Sequence, residues 1–269
     1  MLVDGHKGRI AAFITAFVAG LCLAQAAARA GPEQHREAPP TMTIRSQSPR
    51  AGVLHARPQS SVGDGGAHGA QALGLASGRD GLLYAPKRND AAQPAPLLVL
   101  LHGAGGQATQ LVDRFAESAE ARGYLILAPE SRGRTWDVIL GGYGPDVAFI
   151  DRALGQVFER YAVDPKRIAI AGFSDGASYA LSLGIANGDL FSDILAFSPD
   201  FMAPSRQAGE PRVFVSHGVH DGVLPIDACA RPLAAKLKAG GYDLDYREFD
   251  GGHAVPPEMV TAAVARFLN

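Results

Sequence analysis

Runs of consecutive apolar residues recur along the chain from about residue 72 onward, and longer amphipathic segments separate them. Five of these runs are short, unbroken and rich in Leu, Ile and Val, a pattern typical of strands buried on both faces. They cover residues 97–101, 125–128, 168–171, 194–197 and 213–215. An earlier strand is predicted to end at 82–84, and the alternating residues 244–249 predict a last strand.

The amphipathic segments predict helices over 107–121, 145–161, 176–187, 227–239 and 256–268. Strands that alternate with helices are typical of βαβ units. We therefore expect an α/β fold, a doubly wound and mostly parallel sheet flanked by helices, with no insertion large enough for a lid domain. In such sheets the reactive groups lie on loops at the carboxyl ends of the strands.

The first 30 residues have the organisation of a secretory signal peptide. Basic residues within 6–9 precede an apolar run over 10–23, and small residues follow at 28–30. The run is shorter than the roughly 20 apolar residues that a membrane-spanning helix needs. We expect residues 1–30 to direct export, to the periplasm or the medium, with an uncleaved membrane anchor as the alternative.

Residues 31–71 are rich in Pro and Gly and poor in large apolar residues, so they predict a disordered linker before a folded domain over 72–269. The chain has two cysteines, Cys22 and Cys229, and signal cleavage would leave one, so no internal disulfide is expected. The net charge of −2 gives no reason to expect nucleic acid or an anionic membrane as a partner.

The segment Gly172-Phe173-Ser174-Asp175-Gly176 follows the third unbroken run and opens a predicted helix. G-x-S-x-G between a strand and a helix is the setting of a nucleophilic serine on a sharp turn. The flanking glycines avoid clashes at the strained serine backbone. We interpret Ser174 as a nucleophile, and the amide of Asp175, at a helix start, as a donor to an oxyanion.

A second glycine-rich loop, His102-Gly103-Ala104-Gly105-Gly106, follows the first unbroken run. Its glycines let backbone N–H groups come close to a ligand. The amide of Ala104 is therefore predicted to be the second oxyanion donor. His102 is expected to order this loop rather than to act as a base.

A candidate base and a candidate acid follow later strands. His253 lies after the last predicted strand, and Asp221 lies after the fifth unbroken run. The order Ser, Asp, His is the one found with this nucleophile turn, and an imidazole held by a carboxylate can take the serine proton. Asp200, after the fourth run, is the second choice for the acid, and Asp227 is expected to cap the helix that follows.

Other polar and aromatic residues lie in the same loops. His217 and His220 precede the acid, but two histidines and one aspartate are a weak metal signal, so we expect no metal ion. Trp136 and Tyr143 lie in a glycine-rich stretch and are candidates for lining a substrate cleft, with surface packing as the alternative.

The motifs over 101–106, 172–176, 218–221 and 251–253 resemble those of the phospholipase/carboxylesterase branch of the α/β-hydrolases. Acyl-protein thioesterase-like, feruloyl esterase-like and polyester depolymerase-like enzymes are similar. The resemblance implies a doubly wound sheet, with Ser174 on the nucleophile turn and no cofactor. The loop after His102 ends in Gly-Gly instead of the Gly-Asp common in thioesterase-like members, which weakens a thioesterase interpretation.

These residues predict an exported serine-dependent carboxylic ester hydrolase that works through an acyl-enzyme, with 72–269 as its catalytic domain. The expected partner is a small-molecule or polymeric ester, with no nucleic acid and no stable membrane partner after signal cleavage. A serine peptidase, a thioesterase, and a non-catalytic binding protein on a hydrolase fold are the alternatives.

Overall fold

The computed structural model describes residues 52–59, 66–87 and 93–269. The predicted signal peptide over 1–30, Cys22 and most of the predicted linker lie outside these ranges.

Eight strands form one sheet, in the order β1-β2-β4-β3-β5-β6-β7-β8. Their bounds are β1 Gly69–Ala72, β2 Gly81–Ala85, β3 Ala95–Leu101, β4 Leu125–Pro129, β5 Val163–Phe173, β6 Asp193–Phe197, β7 Arg212–Gly218 and β8 Leu244–Phe249. Neighbouring strands in the part β4-β3-β5-β6-β7-β8 pair in parallel. Strands β1 and β2 pair antiparallel and form one edge of the sheet. The predicted mostly parallel sheet is therefore confirmed, and each predicted strand is present.

Helices cover both faces of the sheet. They are α1 Ala108–Arg122, α2 Pro145–Arg160, α3 Asp175–Ala186, α4 Ala230–Ala239 and α5 Pro257–Leu268. Leu98 and Leu100 of β3 belong to the core under α1 and α5, whereas Leu97 and Val99 belong to the core under α2, α3 and α4. Because successive strand side chains point to opposite faces, one apolar run supplies two cores. The doubly wound prediction is confirmed.

No helix within the described residues is long and apolar enough to cross a membrane. The helix predicted over 227–239 begins only at Ala230, with Cys229 at its N-cap. Asp227 is therefore not the cap that we predicted. Its carboxylate instead accepts a hydrogen bond from Arg231 one turn along, at 2.6 Å.

Two parts of the predicted disordered linker are ordered. Residues 69–71 belong to β1, and the segment 52–59 lies along α2 and α3. The amide of Leu54 donates to Asn187 Oδ1 at 2.8 Å, and Asn187 Nδ2 donates to the Gly52 carbonyl at 2.8 Å. The side chain of Leu54 is fully buried. The segment is held by one buried leucine and by side chains that hydrogen-bond to the segment's backbone. Such contacts leave no apolar period in the sequence, so the sequence pattern did not predict this packing.

Candidate active site

The nucleophile turn joins β5 to α3 at the centre of the sheet. Ser174 has φ 56° and ψ −123°, a conformation that non-glycine residues rarely adopt. A Cβ on Gly172 would lie 2.1 Å from the Gly176 carbonyl oxygen, and one on Gly176 would lie 2.2 Å from the Leu101 carbonyl oxygen. Both distances are impossible for real atoms, so the turn requires glycine at these positions, as the motif predicted.

Two hydrogen bonds join the three predicted triad residues. His253 Nε2 lies 2.9 Å from Ser174 Oγ, and His253 Nδ1 lies 2.7 Å from Asp221 Oδ2. The side chains come from the carboxyl ends of β5, β7 and β8. Asp200, the second choice for the acid, instead accepts a hydrogen bond from the Cys229 thiol at 3.1 Å.

The environment of Asp221 favours its charged form. Burial acts to raise its pKa, but hydrogen bonds from the Leu224 amide, His253 and the Val223 amide outweigh burial and hold the pKa below its ordinary value. A charged Asp221 stabilises an imidazolium on His253. It also fixes the tautomer that leaves Nε2 free to accept the serine proton.

A second histidine, His217, lies next to the same carboxylate. The sequence did not predict this contact. Its side chain is fully buried, and its Nε2 lies 3.2 Å from Asp221 Oδ2 and 2.8 Å from the Leu224 carbonyl oxygen. Nε2–H therefore donates to the Leu224 carbonyl, and the Asp221 carboxylate lies close to the same nitrogen. The only signal was the position of His217 at the end of β7, four residues before the acid.

The side chain of His220 is exposed, and its Nε2 lies 3.1 Å from Asp250 Oδ1. Within the described ranges, no group of three or more His, Cys, Asp or Glu side chains could hold a metal ion.

The acid loop, residues 216–221, and the base loop, residues 249–253, are in direct backbone contact. The amides of Val219 and His220 donate to the carbonyls of Phe249 and Gly251, at 3.0 and 2.9 Å. A Cβ on Gly218 would lie 2.3 Å from the carbonyl oxygens of both Gly251 and Gly252. Asp221 and His253 are thus carried by two loops that are hydrogen-bonded to each other.

The predicted oxyanion loop lies against the nucleophile turn. A Cβ on Gly103 would lie 3.3 Å from Ser174 Cβ. The amides of Gly105 and Gly106 are used within the loop region, by the carbonyls of Arg134 and Gly103 at 2.7 and 3.0 Å. Within the described part of the chain, the Ala104 amide donates to no backbone or side-chain acceptor. The Ala104 amide, and that of Asp175 at the start of α3, are therefore available as donors.

His102 orders this loop from inside the protein. Its Nδ1 donates to the Gly103 carbonyl at 2.7 Å, and its Nε2 accepts from the Ser131 amide at 3.0 Å. Arg79 supports the arrangement by donating to the Gly106 carbonyl at 2.9 Å and to the Ser131 carbonyl at 2.6 Å. Burial lowers the pKa of His102, which favours the neutral ring that these contacts require.

Trp136 and Tyr143 do not line a cleft, which corrects our expectation for both residues. Trp136 is fully buried, stacks on Tyr179 and donates from Nε1 to the His102 carbonyl at 2.8 Å. Tyr143 is 8% exposed and donates to the Ala203 carbonyl at 3.1 Å. Both rings fill the core behind the oxyanion loop. Surface packing, the alternative, is excluded as well.

A cleft of about 400 Å³ opens beside His253. It is lined by His102, Gly103, Gln110, Leu111, Arg114, Phe173, His253, Ala254 and Val255. The sequence did not predict the contribution of α1, whose polar first turns follow the oxyanion loop. A cavity of about 540 Å³ lies among residues 93–96, 121–123, Arg167 and 268–269, but no triad residue lines it. Volume alone therefore does not identify the site.

Comparison with known proteins relates the chain to a family. The model of the phospholipase/carboxylesterase family matches residues 148–269. The chain is 30% identical over 214 residues to the probable feruloyl esterase C of Aspergillus oryzae, covering 66% of this chain and 77% of that protein. It is 29% identical over 159 residues to feruloyl esterase C of Emericella nidulans, covering 56% of this chain and 58% of that protein. The chain thus spans little more than half the length of this second relative.

The fold is also similar to that of a thermophilic esterase from the Planctomycetes species Thermogutta terrifontis. The TM-score is 0.58 at 17% identity, and the match covers 75% of this chain and 93% of that one. This likeness concerns the fold. The relatives and the sheet topology together lead to one conclusion: the chain belongs to the α/β-hydrolase esterases.

Proposed function

We propose that this esterase hydrolyses carboxylic esters through an acyl-enzyme, with Ser174 as nucleophile, His253 as base and Asp221 as the acid that holds it. The observation that carries the proposal is the chain of two hydrogen bonds, 2.9 and 2.7 Å long, from Ser174 Oγ through the His253 ring to Asp221. A serine hydroxyl is a poor nucleophile at neutral pH, and this arrangement is the one that activates it.

In the proposed reaction, Ser174 Oγ attacks the ester carbonyl while His253 Nε2 takes its proton. The carbonyl oxygen becomes an oxyanion and accepts hydrogen bonds from the amides of Ala104 and Asp175. His253 then gives the proton to the leaving alcohol oxygen, and the acyl group stays on Ser174. Water, activated by the same imidazole, attacks the acyl-enzyme and releases the carboxylic acid.

The lining of the cleft favours an ester with an aromatic part. Leu111, Phe173 and Val255 supply apolar surface, and the Phe173 ring centroid lies 4.7 Å from that of His253. Apolar surface of this kind suits an aromatic ring. The names of the two fungal relatives, both feruloyl esterases, also indicate an aromatic ester, although there the ring belongs to the acyl part and not to the alcohol part.

Substitution of the nucleophile tests the mechanism. We expect Ser174→Ala to lower turnover of p-nitrophenyl acetate by at least about 1,000-fold, because the oxyanion donors alone leave little catalysis. Circular dichroism and urea unfolding should match the wild type. Ser192→Ala is the matched control, since this hydroxyl lies at the start of β6 and donates to the Ile168 carbonyl at 3.2 Å.

Labelling with a fluorophosphonate probe gives an independent readout. Mass spectrometry should find the label on Ser174, and His253→Ala should lose it because no base generates the attacking oxygen. Turnover retained in Ser174→Ala would contradict the assignment. A folded wild-type sample that takes up no label would favour a non-catalytic binding protein instead.

A further inference from the structure

Arg114 is the one permanently charged side chain among the cleft-lining residues described by the structure. It lies on α1, one turn after Gln110, and is exposed at the side of the cleft. No Asp or Glu lines this cleft within the described ranges. The cleft therefore combines an apolar wall with a single cation.

The charge of Arg114 is not neutralised by a neighbour. Among the described residues, no carboxylate forms an ion pair or hydrogen bond with its guanidinium. This holds also for Glu117, which lies three residues further along α1. Arg134, exposed on the loop after β4, adds a second cation near the site. Its Nε lies 3.9 Å from the position that a Cβ on Gly105 of the oxyanion loop would take.

The position of the cleft tells which part of an ester it receives. His253 must give its proton to the leaving alcohol oxygen, so the alcohol part has to lie beside the imidazole. The cleft is lined by His253, Ala254 and Val255 and is therefore on that side. The alcohol part of the substrate then lies between the apolar wall and Arg114.

We propose that this cleft selects esters whose alcohol part carries a carboxylate, which Arg114 binds. The inference rests on the proposed esterase function and names the substrate class of the same site. A guanidinium is suited to this task, because its planar donors match the two oxygens of a carboxylate. Its exposure keeps the contribution moderate, since solvent and salt screen a charge at the surface.

Two acetate esters that differ in one charge test the proposal. They are 4-acetoxybenzoate and 4-acetoxybenzamide, which share the acyl group and the ring of the alcohol part. The measured quantity is the ratio of kcat/KM for the anion to kcat/KM for the amide, at about 10 mM ionic strength, where screening is weak. We expect Arg114→Gln to lower this ratio about two- to fivefold, the range that exposed charge pairs give.

Three controls make the outcome specific. Arg114→Lys keeps the charge and should keep most of the ratio, whereas Arg122→Gln removes the same charge about 12 Å further along α1 and should leave it unchanged. Raising the salt concentration should lower the ratio in the wild type more than in Arg114→Gln. An unchanged ratio in Arg114→Gln, or an equal loss for both esters, would overturn the inference. Turnover of either ester by Ser174→Ala would instead overturn the proposed mechanism.

Discussion

At the scale of single residues, the carboxylate of Asp221 is held by more groups than a triad needs. Two backbone amides and His253 donate to it, and the buried His217 ring lies 3.2 Å away. Each of these donors favours the charged form, and together they outweigh the effect of burial. His217 does not touch the serine, but its hydrogen bond to the Leu224 carbonyl holds the loop that carries Asp221.

Replacing His217 should affect the acid indirectly. We expect His217→Leu to lower kcat/KM by up to about tenfold, because the loop that carries Asp221 loses a hydrogen bond worth roughly 0.5–1.5 kcal/mol.

Wild type and variant are compared by kcat/KM for p-nitrophenyl acetate at about pH 8, above the ordinary pKa of His. His220→Leu, at an exposed histidine, is the control and should behave as wild type. A wild-type kcat/KM in folded His217→Leu would show that His217 only fills space.

The site residues predicted from the sequence were those that follow strands in a fixed order. Ser174, Asp221 and His253 could be found because buried strands are recognisable and their carboxyl ends meet at one edge. Trp136 and Tyr143 were misplaced, since a loop has no period that tells a buried ring from an exposed one. His217 and Arg114 were missed because their roles depend on contacts between separate elements.

At the scale of elements, the nucleophile turn sets the tightest requirement. A Cβ on Gly176 would lie 2.2 Å from the carbonyl oxygen of Leu101 and 2.5 Å from that of His102. These carbonyls end β3 and begin the oxyanion loop. Any side chain at 176 must therefore push the strand end and the loop away from α3.

Gly176→Ala should lower both stability and activity. We expect a loss of about 3 kcal/mol or more in the free energy of unfolding, because the clash is with backbone that cannot rotate away. Urea unfolding measures the loss, and p-nitrophenyl acetate turnover should fall with it. Gly155→Ala is the matched control: it lies in α2 with open space around it and should gain up to about 1 kcal/mol. Equal stabilities of the two variants would contradict the packing argument.

The pattern of apolar residues predicted most elements because each strand of the sheet interior is an unbroken run. β1 is different: its sequence Gly-Ala-Gln-Ala contains no large apolar residue, and its alternate residues are exposed. Such a strand is specified by pairing with β2, not by its own burial. No local pattern could therefore separate it from the linker.

At the scale of the whole molecule, the segment 52–59 ties the chain before the sheet to α2 and α3. Leu54 enters the core, the amides of His55 and Ala56 donate to Asp151, and Arg57 pairs with Asp189 at 2.6 Å. These partners lie on helices and on the loop after α3, and none belongs to the active-site cleft. The segment contributes to stability from outside the site.

Leu54→Ala should separate stability from catalysis. We expect the free energy of unfolding to fall by about 2–5 kcal/mol, the usual effect of removing a buried leucine side chain. At 25 °C the folded variant should keep the wild-type kcat/KM for p-nitrophenyl acetate. Leu140→Ala, at a leucine that is 74% exposed, should change neither quantity. A large loss of activity in folded Leu54→Ala would show that the segment acts on the site.

The crossing of the acid and base loops determines where this protein can accept added sequence during evolution. An insertion before Asp221 or before His253 would separate two backbones that touch at Gly218 and exchange hydrogen bonds, so both functional groups would move. The connection over 198–211, between β6 and β7, carries no triad residue. New specificity by lengthening of loops is therefore expected to arise there, while the loops at 216–221 and 249–253 keep their length as substrates change.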